Sequence, residues 1–95
     1  MYSIVRTKAF ERDVKQFLKK GGSPERLEAA LLALRINEVP PGLRDHSLQG
    51  KLRSTRELHV EPDWLLVYEK DGTQLRIICL WLVTHKKLRE RERAL

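Results

Sequence analysis

Cysteine is almost absent from this 95-residue chain. The single residue, Cys79, cannot form an internal disulfide. It lies within Leu75-Arg76-Ile77-Ile78-Cys79-Leu80-Trp81-Leu82, where a small buried hydrophobe is expected rather than a nucleophile. No apolar run approaches the roughly 18 residues of a membrane span. No charged, apolar and small-residue leader opens the chain. A cytoplasmic protein without membrane association is therefore expected. There is no glycine-rich phosphate loop, which argues against nucleotide hydrolysis, and neither H-x-x-x-H nor C-x-x-C spacing occurs. Internal repeats, low-complexity stretches and linkers are also lacking. Histidine is scarce, with three in all: His46, His59 and His85.

What is present is charge. Charged residues make up 34% and hydrophobic residues 41%, a soluble globular balance in a chain short enough to be one domain, 1–95. The net charge is +6. Lys51, Arg53 and Arg56 fall together, and Lys86, Lys87, Arg89, Arg91 and Arg93 crowd the C-terminal segment. Such clusters are either a solvated face or the footprint of a polyanionic partner: nucleic acid, or an acidic protein that masks the same surface.

The hydrophobic period divides the chain near residue 41. Residues 1–6 are short and β-prone. Thr7 is placed to cap a helix in which Phe10, Val14, Phe17 and Leu18 recur at helical spacing. Gly21-Gly22 stops it, and Ser23-Pro24-Glu25 starts a second helix with stripe Leu27, Ala30, Leu31 and Leu34. Residues 7–37 thus read as a helical hairpin, ended by Pro40-Pro41-Gly42. Beyond it, Arg56 to Val60 alternates, Trp64 to Tyr68 is apolar, and Asp71-Gly72 predicts a two-residue hairpin turn. Leu75 to Val83 is nearly all apolar, as for a strand covered on both faces. Lys86 to Ala94 predicts a short charged helix or tail. The expected class is α+β, with the helical hairpin on a curled, mainly antiparallel sheet.

Two imidazoles and three carboxylates lie close together in the middle of the chain: Asp45-His46, and His59 just before Glu61-Pro62-Asp63. If the strands pair in one sheet, His59, Asp63 and His85 approach one another. RNA cleavage needs a proton acceptor, a proton donor and positive charge at one phosphate. Each histidine taken alone is as readily a structural residue. Two histidines with Asp63 could also hold a metal, although no spacing supports it, and no metal site is assigned. Trp64 could stack on a base, or belong to the core.

The string Arg56-Glu57-Leu58-His59-Val60-Glu61-Pro62-Asp63-Trp64-Leu65-Leu66-Val67-Tyr68, preceded by Asp45-His46 and Gly50-Lys51 and followed by Thr84-His85, resembles the YafQ-like branch of the RelE/ParE toxin superfamily. The resemblance covers nearly the whole chain. It implies the toxin of a bacterial type II toxin–antitoxin pair: a ribosome-dependent endoribonuclease that cuts mRNA on the ribosome, needs no small-molecule cofactor, and is neutralised by a small acidic antitoxin. By position, His46, His59, Asp63 and His85 match the family's catalytic residues, and Trp64 an active-site neighbour. Lys51, Arg53, Arg56 and Arg89 are the cations expected at RNA.

Two departures stand out. The family's usual Arg-Thr-Gly-Thr-His string is Trp81-Leu82-Val83-Thr84-His85 here, so the arginine is replaced by Trp81. The aromatic usually four residues after that histidine is Arg89. Loss of a fixed cation removes transition-state stabilisation. Two readings stay open: an active metal-independent nuclease using the RNA 2′-OH, and a weakened or inactive member that binds RNA, the ribosome or the antitoxin. The superfamily's gyrase-poisoning branch is disfavoured by the histidine pattern.

Overall fold

The computed structural model describes residues 1–95. Its elements run β1 (Ser3–Arg6), α1 (Lys8–Lys19), α2 (Pro24–Ile36), β2 (His46–Ser47), β3 (Arg56–Glu61), β4 (Trp64–Asp71), β5 (Arg76–Val83) and α3 (His85–Arg93), with single 3-10 turns at Pro41–Leu43 and Gly50–Leu52. The five strands form one sheet in the order β1-β5-β4-β3-β2. Only β1 and β5 are parallel, joined in space across the helical hairpin. The remaining pairs are antiparallel, so the mainly antiparallel α+β expectation holds.

Local chemistry sets the helix ends. The Thr7 hydroxyl accepts from the Phe10 N–H at 3.1 Å and donates to the Cys79 carbonyl at 2.8 Å, fixing the start of α1 against β5. Beyond α1, Gly21 takes φ 90°, open to glycine at little cost. Ser23 caps α2 through the Arg26 N–H, and its own N–H donates to Glu61 Oε2 at 2.8 Å, tying the hairpin to β3. Asn37, in the left-handed region at φ 59°, ends α2 before the prolines are reached.

Phe10, Val14 and Phe17 are buried as expected, but Leu18 is 43% exposed and Asp13 takes an inward position in its stead. The buried row therefore runs 10, 13, 14, 17. The Asp71-Gly72 turn also differs from expectation. Asp71 pairs with Arg76, which leaves the four residues 72–75 in the loop. The Asp71 carboxylate accepts from the Thr73 and Gln74 N–H groups, and Leu75 carries the positive φ of 52° in place of Gly72. A side chain that folds back onto its own backbone selects the longer loop.

Strand alternation sends side chains to two cores. On one face Leu58, Val60, Leu66, Tyr68, Ile77, Cys79 and Leu82 meet Phe10, Phe17, Leu27, Leu31 and Leu34 of the helices. On the other, Leu65, Val67 and Val83 meet Leu52 and Leu88, with Leu48, Leu80 and Trp81 partly buried around them. β5 is thus covered on both faces, as its apolar run predicts. One extra residue on β5, Leu80, interrupts the ladder with β4 between Cys79 and Trp81. No helix is long and apolar enough to cross a membrane.

Candidate active site

The face of the sheet opposite α1 and α2 carries the histidines. Glu57 and His59 on β3 alternate with Leu58 and Val60 of the larger core, and so project to the other side. His46 stands directly across from Glu57 in the β2–β3 ladder, and its Nε2 lies 3.2 Å from Glu57 Oε2. His46 Nδ1 is 2.8 Å from the Arg44 carbonyl, to which it donates when protonated there. Glu57 is buried at 6% exposure, with His46 as its ion-pair partner. Glu57 and His59 are two residues apart, about 7 Å along an extended strand.

Asp63 arrives by a different route. Pro62 and Asp63 form the two-residue link between Glu61 and Trp64, which are paired. This hairpin end meets the start of α3. Thr84 caps α3 by accepting from the Lys87 N–H. Asp63 Oδ1 accepts from the His85 backbone N–H at 3.3 Å and lies 2.6 Å from His85 Nδ1. The hydrogen bonds from His85 hold the Asp63 carboxyl below its ordinary value, with a smaller contribution from the charge of Arg89. The His85 ring lies 5.6 Å from that of His59, tilted by 49°. His59 Nδ1 is buried without a hydrogen-bond partner. Burial first, then the charge of Arg44, lowers the His59 pKa below 6.5; Glu57 opposes this, while His85 and His46 add to it.

The structure therefore brings His46, His59, Asp63 and His85 to one side of the sheet. The expected cations do not all accompany them. Arg56 projects to the helix face, where it donates to Asp45 Oδ1 at 3.2 Å and Ser47 Oγ at 2.9 Å beside the Tyr68 hydroxyl. Lys51 and Arg53 are exposed on the 3-10 turn whose Gly50 lies near Glu92, seven residues along α3 from His85 and so about 10 Å away along the helix. Arg89 lies one turn beyond His85 on α3. Trp64 packs on the helix side, edge to face with Phe17 at 5.2 Å and 82°. Trp81 lies on the histidine side of β5, half-buried beneath the Arg91 guanidinium, 5.4 Å from its ring centre. Arg91 in turn forms a two-pronged pair with buried Asp13 at 2.7 and 2.8 Å, and Asp13 also accepts from the Leu82 N–H.

Two neighbours escaped sequence reasoning. Glu57 had a usable signal, since a residue two before a strand histidine shares its face. Arg44 had none beyond adjacency to Asp45-His46. No three His, Cys, Asp or Glu side chains converge as a metal-binding group.

The comparisons with known proteins bear on the family and the fold. The mRNA interferase toxin YafQ of Escherichia coli (strain K12) is 37% identical over 70 residues, covering 70% of this chain and 75% of that protein. A copper-bound mutant toxin from Helicobacter pylori superposes with a TM-score of 0.84 at 34% identity, covering 93% of this chain and 99% of that one. The E. coli DinJ–YafQ complex contains a chain that matches with a TM-score of 0.79 at 31% identity, covering 93% and 98%. The profile of the family described as "Bacterial toxin of type II toxin-antitoxin system, YafQ" matches residues 2–90, so this chain belongs to the YafQ family of toxins.

Proposed function

We propose that this toxin is an mRNA interferase: a ribosome-associated endoribonuclease that uses the RNA 2′-OH as nucleophile. The observation that carries the reading is the pair of imidazoles 5.6 Å apart in opposite settings. His59 has a lowered pKa, set first by burial and then by the charge of Arg44, and so suits a proton acceptor at neutral pH. His85 rests on Asp63 through Nδ1, which leaves Nε2 directed away from the carboxylate to hold a proton for donation. His59 takes the 2′-OH proton as the oxygen attacks phosphorus. The P–O5′ bond breaks, and His85 gives its proton to the leaving 5′-oxygen. The products are a 2′,3′-cyclic phosphate and a 5′-hydroxyl. Asp63 fixes the His85 tautomer, and the His46–Glu57 pair sets the polar flank of the site.

The partner is an antitoxin, as in the DinJ–YafQ assemblies of E. coli. A small acidic protein would complement the net charge of +6.

A translation reaction with a defined mRNA, with 3′ ends analysed for cyclic phosphate, tests the proposal. His59→Ala and His85→Ala should each slow cleavage by about 10²–10⁴-fold, and a 2′-deoxy nucleotide at the cleaved position should abolish it. EDTA should leave the rate unchanged. Activity lost with EDTA and restored by a divalent ion would overturn the mechanism; metal-bound relatives from H. pylori make this arm necessary. Ribosome binding with no cleavage would favour the inactive, binding-module reading.

A further inference from the structure

Cleavage of a phosphodiester gathers negative charge on the phosphoryl oxygens, and a fixed cation beside them is the economical answer. Trp81 offers none. Of the arginines near the sheet, Arg56 is committed to Asp45 on the opposite face, Arg91 to Asp13 and Arg76 to Asp71. Lys51 and Arg53 stand by the far end of α3, and Arg89, one turn beyond His85, acts on Asp63 and lies outside the groove that His59 lines.

Arg44 is different in three respects. It lines, with His59, a groove of about 400 Å³ at the end of the sheet, to which Arg26 also contributes; the Glu61 carboxylate there is occupied by the Ser23 N–H. Its guanidinium is exposed and has no ion-pair partner or hydrogen bond within the chain. Its backbone is pinned on both sides in an unusual conformation. The N–H donates to Pro41 O at 3.0 Å, the carbonyl meets His46 Nδ1 at 2.8 Å, and φ is 55°. Arginine is a poor choice for the left-handed region, where glycine or asparagine costs less. A strained arginine held between a 3-10 turn and a candidate catalytic histidine calls for a role that glycine could not fill.

We propose that Arg44 is the phosphate-binding cation of this active site, contacting the scissile phosphate beside His59. The proposal rests on the nuclease reading above. The lowered pKa of His59, to which the charge of Arg44 contributes, accords with such proximity.

The test uses Arg44→Gly and Arg44→Lys in the full chain. Glycine suits the backbone, so the first variant should fold with an unchanged or raised Tm while removing the guanidinium. In the translation reaction Arg44→Gly should lower the single-turnover rate at saturating ribosome about 10²-fold, and Arg44→Lys should recover at least a tenth of the wild-type rate. The pH profile adds a readout that a scaffolding role would not move. Arg44, Glu57, His46 and His85 all act on His59, and loss of the arginine removes one lowering influence. The acidic limb of the rate profile should therefore shift to higher pH in Arg44→Gly. A rate within threefold of wild type, or an unshifted limb, overturns the proposal. Should the wild-type toxin itself fail to cleave, the nuclease reading falls and Arg44 is judged by binding alone. A 2′-deoxy-substituted oligoribonucleotide should then bind Arg44→Gly several-fold more weakly, with a salt slope reduced by about one phosphate contact; equal affinity and slope overturn the proposal.

Discussion

At the scale of single residues, the site works by setting like side chains apart. Three imidazoles share one face, yet one sits on an exposed carboxylate, one on a buried carboxylate, and one on neither. The protonation of His59 has a signed consequence. Its folded pKa is lowered from 6.5, so it stays neutral below the pH at which a free imidazole would charge. The acidic limb of cleavage should lie below pH 6.5. Its stability contribution has the same origin: nothing is lost above 6.5, and stability falls as pH drops from 6.5 through the folded value, because the unfolded chain takes the proton more readily. An NMR titration of the three histidine rings checks this; His59 titrating at or above 6.5 would refute it. Asp63 behaves as the usual carboxylate. Its contribution is present above 3.8 and fades as pH falls through its lower folded value. That these histidines would meet was legible from the string around His59, but their unequal surroundings were not. Those depend on where Arg44, fifteen positions before His59, is placed by a left-handed turn.

At the scale of elements, α3 is the part whose position matters most and whose anchorage is thinnest. It carries His85 at its first turn, buries Leu88, and closes on the body of the protein through Arg91, Asp13 and Trp81. Breaking a buried ion pair from one side leaves an uncompensated charge. With Arg91 about a quarter exposed, Arg91→Ala should cost about 2–3 kcal/mol, at the low end for such pairs. Amide exchange should show the loss first in residues 85–93, and cleavage should fall along with His85 order. Unchanged protection there would mean that Leu88 alone seats the helix. Trp81→Arg would replace the ring beneath Arg91 with a second guanidinium, so a loss of stability is expected in place of the gain in cleavage that a restored arginine would bring. The helical hairpin and the long strands were legible because their periods are clean. The two-residue β2 and the Leu75 turn were not, since each is set by a partner distant in sequence or by one carboxylate's choice of backbone N–H.

At the scale of the whole molecule, the net charge of +6 predicts RNA binding that weakens steeply with salt. The faces now separate the cations. Lys51→Ala with Arg53→Ala should flatten the salt slope if RNA extends along α3. Arg56→Ala should instead loosen the Asp45–Tyr68 network and lower Tm, with little change in slope. Fluorescence anisotropy across a salt series, alongside thermal melts, distinguishes the two. A slope change confined to Arg56→Ala would reverse the assignment of faces.

The five-stranded sheet acts as a partition. The two imidazoles proposed to move protons approach from the side away from the helical hairpin, whose outer surface includes the exposed Leu32 and Ile36 of α2. A dye, an affinity handle or a solid support attached at Leu32 or Ile36, outside the groove that Arg26 helps to line, would therefore leave the chemistry accessible. The toxin could be tethered, counted or withdrawn from a reaction by its back, with its working surface still turned to the ribosome.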